Sequence, residues 1–245
     1  MISFFIPCHN EANFITSTVE TINSAVRSVE TVDRFEIVII DDGSTDNLEE
    51  VVKDLQLKFE NIIFTKNEKN MGMGYSIKQA LKLIKYEKFL IIPGGNDIDV
   101  DPIIASLKFY HMSDLVMQYP INTEDRTKLR NVVSKIYSLI YIIFFDCNVN
   151  YINGASLFPA KKVKDLKLSS NRHGIISEIV TKLLRTEITY CELSVFYKFP
   201  NKARYTINFK NLFDVMVSFI KLFFELKIKN KTIIKAKRKN INFKI

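Results

Sequence analysis

An α/β fold on an open, mostly parallel sheet is predicted by three features of the first half of the chain. Short β-branched and aromatic runs alternate with longer stretches of three- and four-residue apolar spacing. Polar or glycine residues open each longer stretch, and unusual polar residues gather just after the short runs. The runs Ile2–Ile6, Glu36–Ile40, Ile62–Thr65, Lys88–Ile92 and Asp114–Gln118 read as strands. Between them Asn13–Arg27, Asp46–Phe59 and Met73–Tyr86 read as crossover helices. In open sheets of this kind ligands bind outside the carboxyl ends of the strands. Here those ends carry Pro7-Cys8-His9-Asn10-Glu11, Asp41-Asp42-Gly43-Ser44-Thr45-Asp46 and Pro93-Gly94-Gly95-Asn96-Asp97-Ile98-Asp99.

The second half is less regular. Leu129–Phe145 and Ile175–Arg185 have helical spacing, Asn148–Ser156 is polar, Thr189–Phe196 reads as a strand and Leu212–Leu226 as an apolar helix. Ile136–Phe145 is about half of the roughly 20 residues that span a bilayer. Leu212–Leu226 is broken by Asp214, Lys221 and Glu225, so neither reads as a transmembrane helix. Phe213, Val217, Ile220 and Phe224 share one side of the latter, which suits either core packing or a position on a membrane surface. The expected organisation is one domain over residues 1–210, in two halves at 1–120 and 121–210, followed by the helix and a basic tail at 211–245.

With 245 residues and 47% hydrophobic content the chain can bury a substantial core. Cys8, Cys147 and Cys191 are widely separated and fit no metal spacing, and the N-terminus lacks the pattern of a signal peptide. A reduced, cytoplasmic setting is the expectation. The net charge is +8, and the eight cations Lys227, Lys229, Lys231, Lys235, Lys237, Arg238, Lys239 and Lys244 equal the whole excess. Such a tail is either a solvated appendage or an anchor to the anionic cytoplasmic face of a membrane. Nucleic acid is not an expected partner, because the tail's only aromatic residue is Phe243 and no recognition motif is present.

Asp97, Asp99 and Asp101 recur at every second position after the fourth strand, which puts them on one side if the segment stays extended. Hard cations such as Mg²⁺ or Mn²⁺ take oxygen ligands and are held by one or two carboxylates while phosphates complete the shell. A solvated turn is the alternative. In Asn70-Met71-Gly72-Met73-Gly74-Tyr75-Ser76-Ile77-Lys78 two glycines precede a helix, where amides can approach phosphate, and Lys78 lies one turn in. The segment is neither a Walker A loop nor a dinucleotide fingerprint.

Taken in order, these segments resemble the family 2 glycosyltransferases of the GT-A fold, and more closely their dolichol-phosphate mannose synthase-like branch. The order and intervals agree across roughly residues 1–120. The resemblance implies that Pro7, His9, Glu11 and Asp42 line the pocket for base and ribose, that Gly72 and Lys78 lie near the pyrophosphate, and that Asp97 binds Mg²⁺ or Mn²⁺. The family's Asp-x-Asp, aligned back from Pro102, begins here at Gly95. Asp97 and Asp99 are therefore the expected metal pair, with Asn96 turned toward sugar or ribose. Further on, Asn153-Gly154-Ala155-Ser156-Leu157-Phe158 resembles the acceptor-side loop, Glu178 a helix carboxylate, and Lys202 and Arg204 a basic stretch that grips an acceptor phosphate. The implied activity is inverting transfer of a sugar from a UDP- or GDP-linked donor, with Asp97, Lys78 and Glu178 as the catalytic set. A polyprenyl phosphate acceptor needs no base, whereas a saccharide hydroxyl would need one, for which Glu178 is the first candidate and Asp146 the second. Gly95 also leaves open a protein that binds nucleotide-sugar without turnover.

Overall fold

The structure is a computed structural model that describes residues 1–197, 209–229 and 234–241. The predicted alternation is present: β1 (Ile2–Cys8), α1 (Ala12–Arg27), β2 (Phe35–Asp41), α2 (Leu48–Lys58), β3 (Ile62–Lys66), α3 (Met73–Leu83) and β4 (Lys88–Ile91). Then follow α4 (Val100–Lys108), β5 (Leu115–Pro120), α5 (Lys128–Phe145), β6 (Ser156–Pro159), α6 (Ala160–Lys164), α7 (Ile175–Leu183), β7 (Thr189–Val195), α8 (Phe209–Phe223) and β8 (Lys237–Arg238). A π-helical turn, Phe224–Lys229, continues α8.

All eight strands form one sheet in the order β3-β2-β1-β4-β6-β5-β7-β8. Every pairing is parallel except those that β6 makes with β4 and β5. Alternate residues of β1 enter opposite layers, as the strand period of two requires. Ile2, Phe4 and Ile6 pack with α1, α2 and α4, while Phe5 packs on the other face with α3, α5 and α7. Phe4 and Phe5 are wholly buried. Each removes an aromatic ring from water, worth about 1.5–3 kcal/mol, and burial on both faces explains why the central strands read as unbroken apolar runs.

Two alternatives left open by the sequence are decided here. The segment after β4 does not stay extended: helix α4 begins at Val100, so Asp101 lies in its first turn, an acidic residue at a helix start where the macrodipole favours it. The tail, where it is described, is not a loose appendage. Lys237 and Arg238 pair with Thr189 and Tyr190 as the sheet's last strand, and Arg238 forms an ion pair of 2.9 Å with the buried Glu192. Lys239 donates to the Met112 carbonyl, and Lys235 pairs with Asp146.

Candidate active site

The carboxyl ends of β1, β2 and β4 meet at one edge of the sheet, as their parallel register requires. Asp41, which ends β2, and Asp42 and Asp46 beyond it each accept hydrogen bonds from backbone amides. Asp41 accepts from the Ser44 amide at 2.7 Å, and Asp46 accepts from the Ala12 amide at 2.9 Å where α1 begins. Asp42, expected in the base and ribose pocket, is buried and carries three hydrogen bonds instead. Its carboxylate accepts from the Asn67 side-chain amide and the Met71 amide, both at 2.9 Å, and from the Gly72 amide at 2.7 Å. Bonds from neutral donors to an ionised acceptor contribute about 1.5–3 kcal/mol each, so Asp42 fastens the loop that leads into α3. In the turn after β1, Pro7 is half-buried, His9 is exposed and Glu11 is half-buried. The Pro7 carbonyl accepts from the Gly94 amide at 3.3 Å, and a Cβ placed on Gly94 would lie 3.5 Å from that of Glu11. This turn therefore abuts the loop after β4.

The glycine turn is also used differently from the expectation. Gly72 has φ 93°, in the region that favours glycine. A Cβ there would come within 2.6 Å of the Asn171 carbonyl oxygen, and one on Gly74 within 2.7 Å of the Ser170 carbonyl oxygen. The Tyr75 amide donates to the Asn171 carbonyl at 3.1 Å. The start of α3 is thus covered by residues 170–172, and the glycines permit the close approach of that backbone. Lys78 donates to the Asn171 side-chain carbonyl and borders a shallow cleft with Val163, Lys164 and Leu168. Desolvation pushes its pKa down, and Glu178 opposes the shift. Lys78, which the resemblance places near the pyrophosphate, borders this cleft in the structure.

A cavity of about 330 Å³ opens beside the loop after β4, within the size range of small-ligand sites. Its wall includes Asp97, Arg126, Arg130, Tyr151, Asn153 and His173, with Ile91, Pro93, Ile98 and Phe158 supplying apolar surface. Asn96 has φ 55° and its side-chain oxygen accepts from the Thr21 hydroxyl at 3.4 Å. That left-handed residue turns the chain just before Asp97, which is half-buried, while Asp99 stands exposed at the entrance to α4. Arg126 donates to the Tyr151 hydroxyl at 3.3 Å and lies 5.6 Å from its ring centroid. The Tyr197 hydroxyl accepts from the Ala155 amide at 3.0 Å and donates to Gln118 at 3.2 Å, which fixes the acceptor-side loop. His173 faces the cavity with a lowered pKa, because neighbouring atoms displace water from the ring; the nearby Asp214 opposes the shift.

Asp97 is thus the one member of the expected catalytic set that lines this cavity. Arg126, Arg130 and His173 were not singled out from the sequence. They lie in no motif, and only the return of residues 126–130, at the entrance to α5, and of residues 170–174 to the sheet edge brings them together. Among the described residues no group of three or more His, Cys, Asp or Glu forms a metal cage. The donor set fits a hard cation held by Asp97 together with phosphate oxygens and water, which is a common arrangement for Mg²⁺.

Glu178 lies on α7, 2% exposed and outside the cavity wall. One carboxylate oxygen accepts from the Ser169 amide and Lys182, both at 2.8 Å, and the other from the Ser170 amide at 2.8 Å. Glu178, the first candidate base in the sequence, fastens the segment covering α3 through these bonds. Asp146, the second candidate base, is exposed at the end of α5. Lys202 and Arg204 lie outside the described residues.

The mostly parallel α/β sheet, with a cavity beside the loop after its fourth strand, matches the fold of GT-A glycosyltransferase structures. Residues 3–93 match the family described as Glycosyl transferase family 2. A poly-beta-1,6-N-acetyl-D-glucosamine synthase of Staphylococcus epidermidis is 27% identical over 175 residues, 67% of this chain. The chain spans only 41% of that protein's length. An uncharacterized protein of Methanocaldococcus jannaschii is 23% identical over 89% of this chain and 97% of its own length. Among solved structures, S. aureus TarS residues 1–349 in complex with UDP-GlcNAc aligns with TM-score 0.62 at 17% identity, over 94% of this chain and 68% of that one. Glucosyl-3-phosphoglycerate synthase from Mycobacterium tuberculosis with Mn²⁺, UDP and phosphoglyceric acid aligns with TM-score 0.65 at 15% identity, over 91% and 78%. The dolichol-phosphate mannose synthase-like branch is not among these similarities.

Proposed function

We propose that the chain transfers a sugar, with inversion, from a UDP-linked donor to an acceptor that carries a phosphate, a polyprenyl-phosphate-type lipid being the form this reading favours. The observation that carries the reading is the cavity wall, where one carboxylate, Asp97, shares a partly apolar pocket with the guanidinium groups of Arg126 and Arg130. Arginine forks match phosphate oxygens in pairs and hold their charge at any physiological pH. Uridine is favoured over guanosine because the two aligned structures named above hold UDP or UDP-GlcNAc. A divalent cation at Asp97 would supply further neutralisation of the leaving diphosphate.

An acceptor phosphate oxygen attacks the anomeric carbon from the face opposite the diphosphate; the new carbon–oxygen bond forms as the old one breaks, and UDP leaves with the electron pair. Such an oxygen is already anionic and needs no base. With Glu178 buried elsewhere and Asp97 facing the diphosphate, the wall provides no second carboxylate for that task. A second reading rests on His173, whose lowered pKa keeps the imidazole neutral near pH 7 and able to accept a proton from a saccharide hydroxyl.

Transfer from UDP-sugars to a polyprenyl phosphate and to a saccharide acceptor, measured for Arg126→Gln and His173→Gln, tests the choice. The phosphate-acceptor reading expects Arg126→Gln to lose about 10- to 100-fold and His173→Gln to stay within about threefold. A loss of about 100-fold or more in His173→Gln, confined to the saccharide acceptor, would replace it with hydroxyl transfer.

A further inference from the structure

Helix α5 turns a stripe of large apolar side chains outward. Leu129, Val132, Ile136, Leu139 and Ile143 recur at three- and four-residue intervals, and each is between 51% and 65% exposed. Helix α8 and its π-helical extension do the same with Phe213, Met216, Ile220 and Phe224. The two stripes meet at Phe144, 42% exposed, whose ring lies 5.5 Å from that of Phe219 and 5.8 Å from that of Phe223. Exposed apolar surface of this continuity marks an interaction face rather than ordinary surface. Among the described residues no helix is long and apolar enough to cross a membrane.

Charge decides what covers the face. The three- and four-residue spacing on α5 would also serve a helical seam with a second copy of the chain. However, α5 contains no acidic residue, and the two acids of α8 and its extension are neutralised by ion pairs: Asp214 with Arg172 at 3.5 Å, Glu225 with the buried Lys182 at 2.8 Å. Lys128, Lys135 and Lys221 are exposed. Outward cations beside outward apolar side chains complement anionic headgroups over acyl chains, whereas two copies would bring cations against cations. We propose that the joined α5–α8 face seats the protein in the interfacial layer of an anionic lipid bilayer. Arg130, on the same α5, lines the cavity, so seating brings the cavity mouth to the lipid surface. The cationic tail, expected to anchor the protein, is tied to the sheet edge through Arg238 and Lys239 instead.

The inference stands on the two helix faces and not on the proposed reaction. Flotation of the full chain with phosphatidylcholine vesicles, with and without phosphatidylglycerol, tests it alongside Leu139→Glu/Ile220→Glu. Binding is expected only to the anionic vesicles, reduced about tenfold or more in the double variant, with an unchanged melting temperature and unchanged UDP binding. Equal flotation with both vesicles, no flotation of the parent chain, or a dimer in sedimentation that the double variant dissolves would each overturn it. UDP binding that persists through any of those results would leave the proposed reaction standing.

Discussion

Glu178 shows how a single side chain can carry the right residue type for one task and perform another. A carboxylate on a helix near the acceptor loop is legible in the sequence. The Ser169 and Ser170 amides and the Lys182 ammonium that surround it are not, because they converge only after the segment before α7 has folded back. Lys182 in turn bridges to Glu225, so one buried cation ties α7 to the extension of α8. Breaking a buried pair from one side costs about 3–5 kcal/mol because it strands the other charge. Glu178→Gln is milder in charge but turns an amide N–H₂ toward donors. A loss of about 3 kcal/mol lowers the melting temperature by about 6–12 °C in a chain of this size. Thermal unfolding of Glu178→Gln is expected to show that drop, with UDP affinity unaltered. An unchanged melting temperature together with abolished transfer would return Glu178 to the reacting centre.

At the scale of elements, the first three βα units were readable because each is local: period-two runs, then three- and four-residue spacing, then a polar turn. Helix α4 was not, because Asp97, Asp99 and Asp101 suit an extended strand end as well as a helix start, and Pro102 is tolerated in a first turn. Strand β6 escaped because it is four residues long and takes its place between β4 and β5 by antiparallel pairing across the chain. The two glycines before α3 were legible as a close approach, but the partner was not: residues 170–172 lie about a hundred positions away. This gives opposed effects for Gly74→Ala. Helix propensity would gain about 1 kcal/mol, whereas forcing a methyl into a packed site costs about 1–3 kcal/mol. With 2.6–2.7 Å approaches at both glycines and backbone as the obstacle, the clash wins. Gly74→Ala is expected to unfold at lower denaturant with an unchanged slope; a higher midpoint would mean that the 170–172 segment does not cover α3.

Across the whole molecule, the sequence places its chemistry at the carboxyl edge of a mostly parallel sheet, and the fold keeps it there while reassigning the parts. The acids after β2 stitch loops, the glycine turn packs on backbone, and the described tail closes the edge of the sheet. What remains at the cavity is Asp97, joined by Arg126 from the turn before α5, Arg130 from α5 and His173 from the 170–174 segment. Gly95, where the family pattern breaks, leaves Asp97 without an aspartate two residues before it, and Asp99 faces solvent instead of the cavity. We therefore propose that Asp97 holds the donor diphosphate through a cation, while Arg126 and Arg130 on the same wall meet the acceptor phosphate. Titration calorimetry of UDP against the parent chain and Asp97→Asn, with and without Mn²⁺, tests this most directly. Mn²⁺ is expected to tighten UDP binding by about tenfold or more in the parent chain, equivalent to about 1.4 kcal/mol, and Asp97→Asn to remove that increment while retaining the weaker metal-free binding. An Asp97→Asn protein that gains as much from Mn²⁺ as the parent, or a parent that binds UDP equally with and without it, would contradict the account.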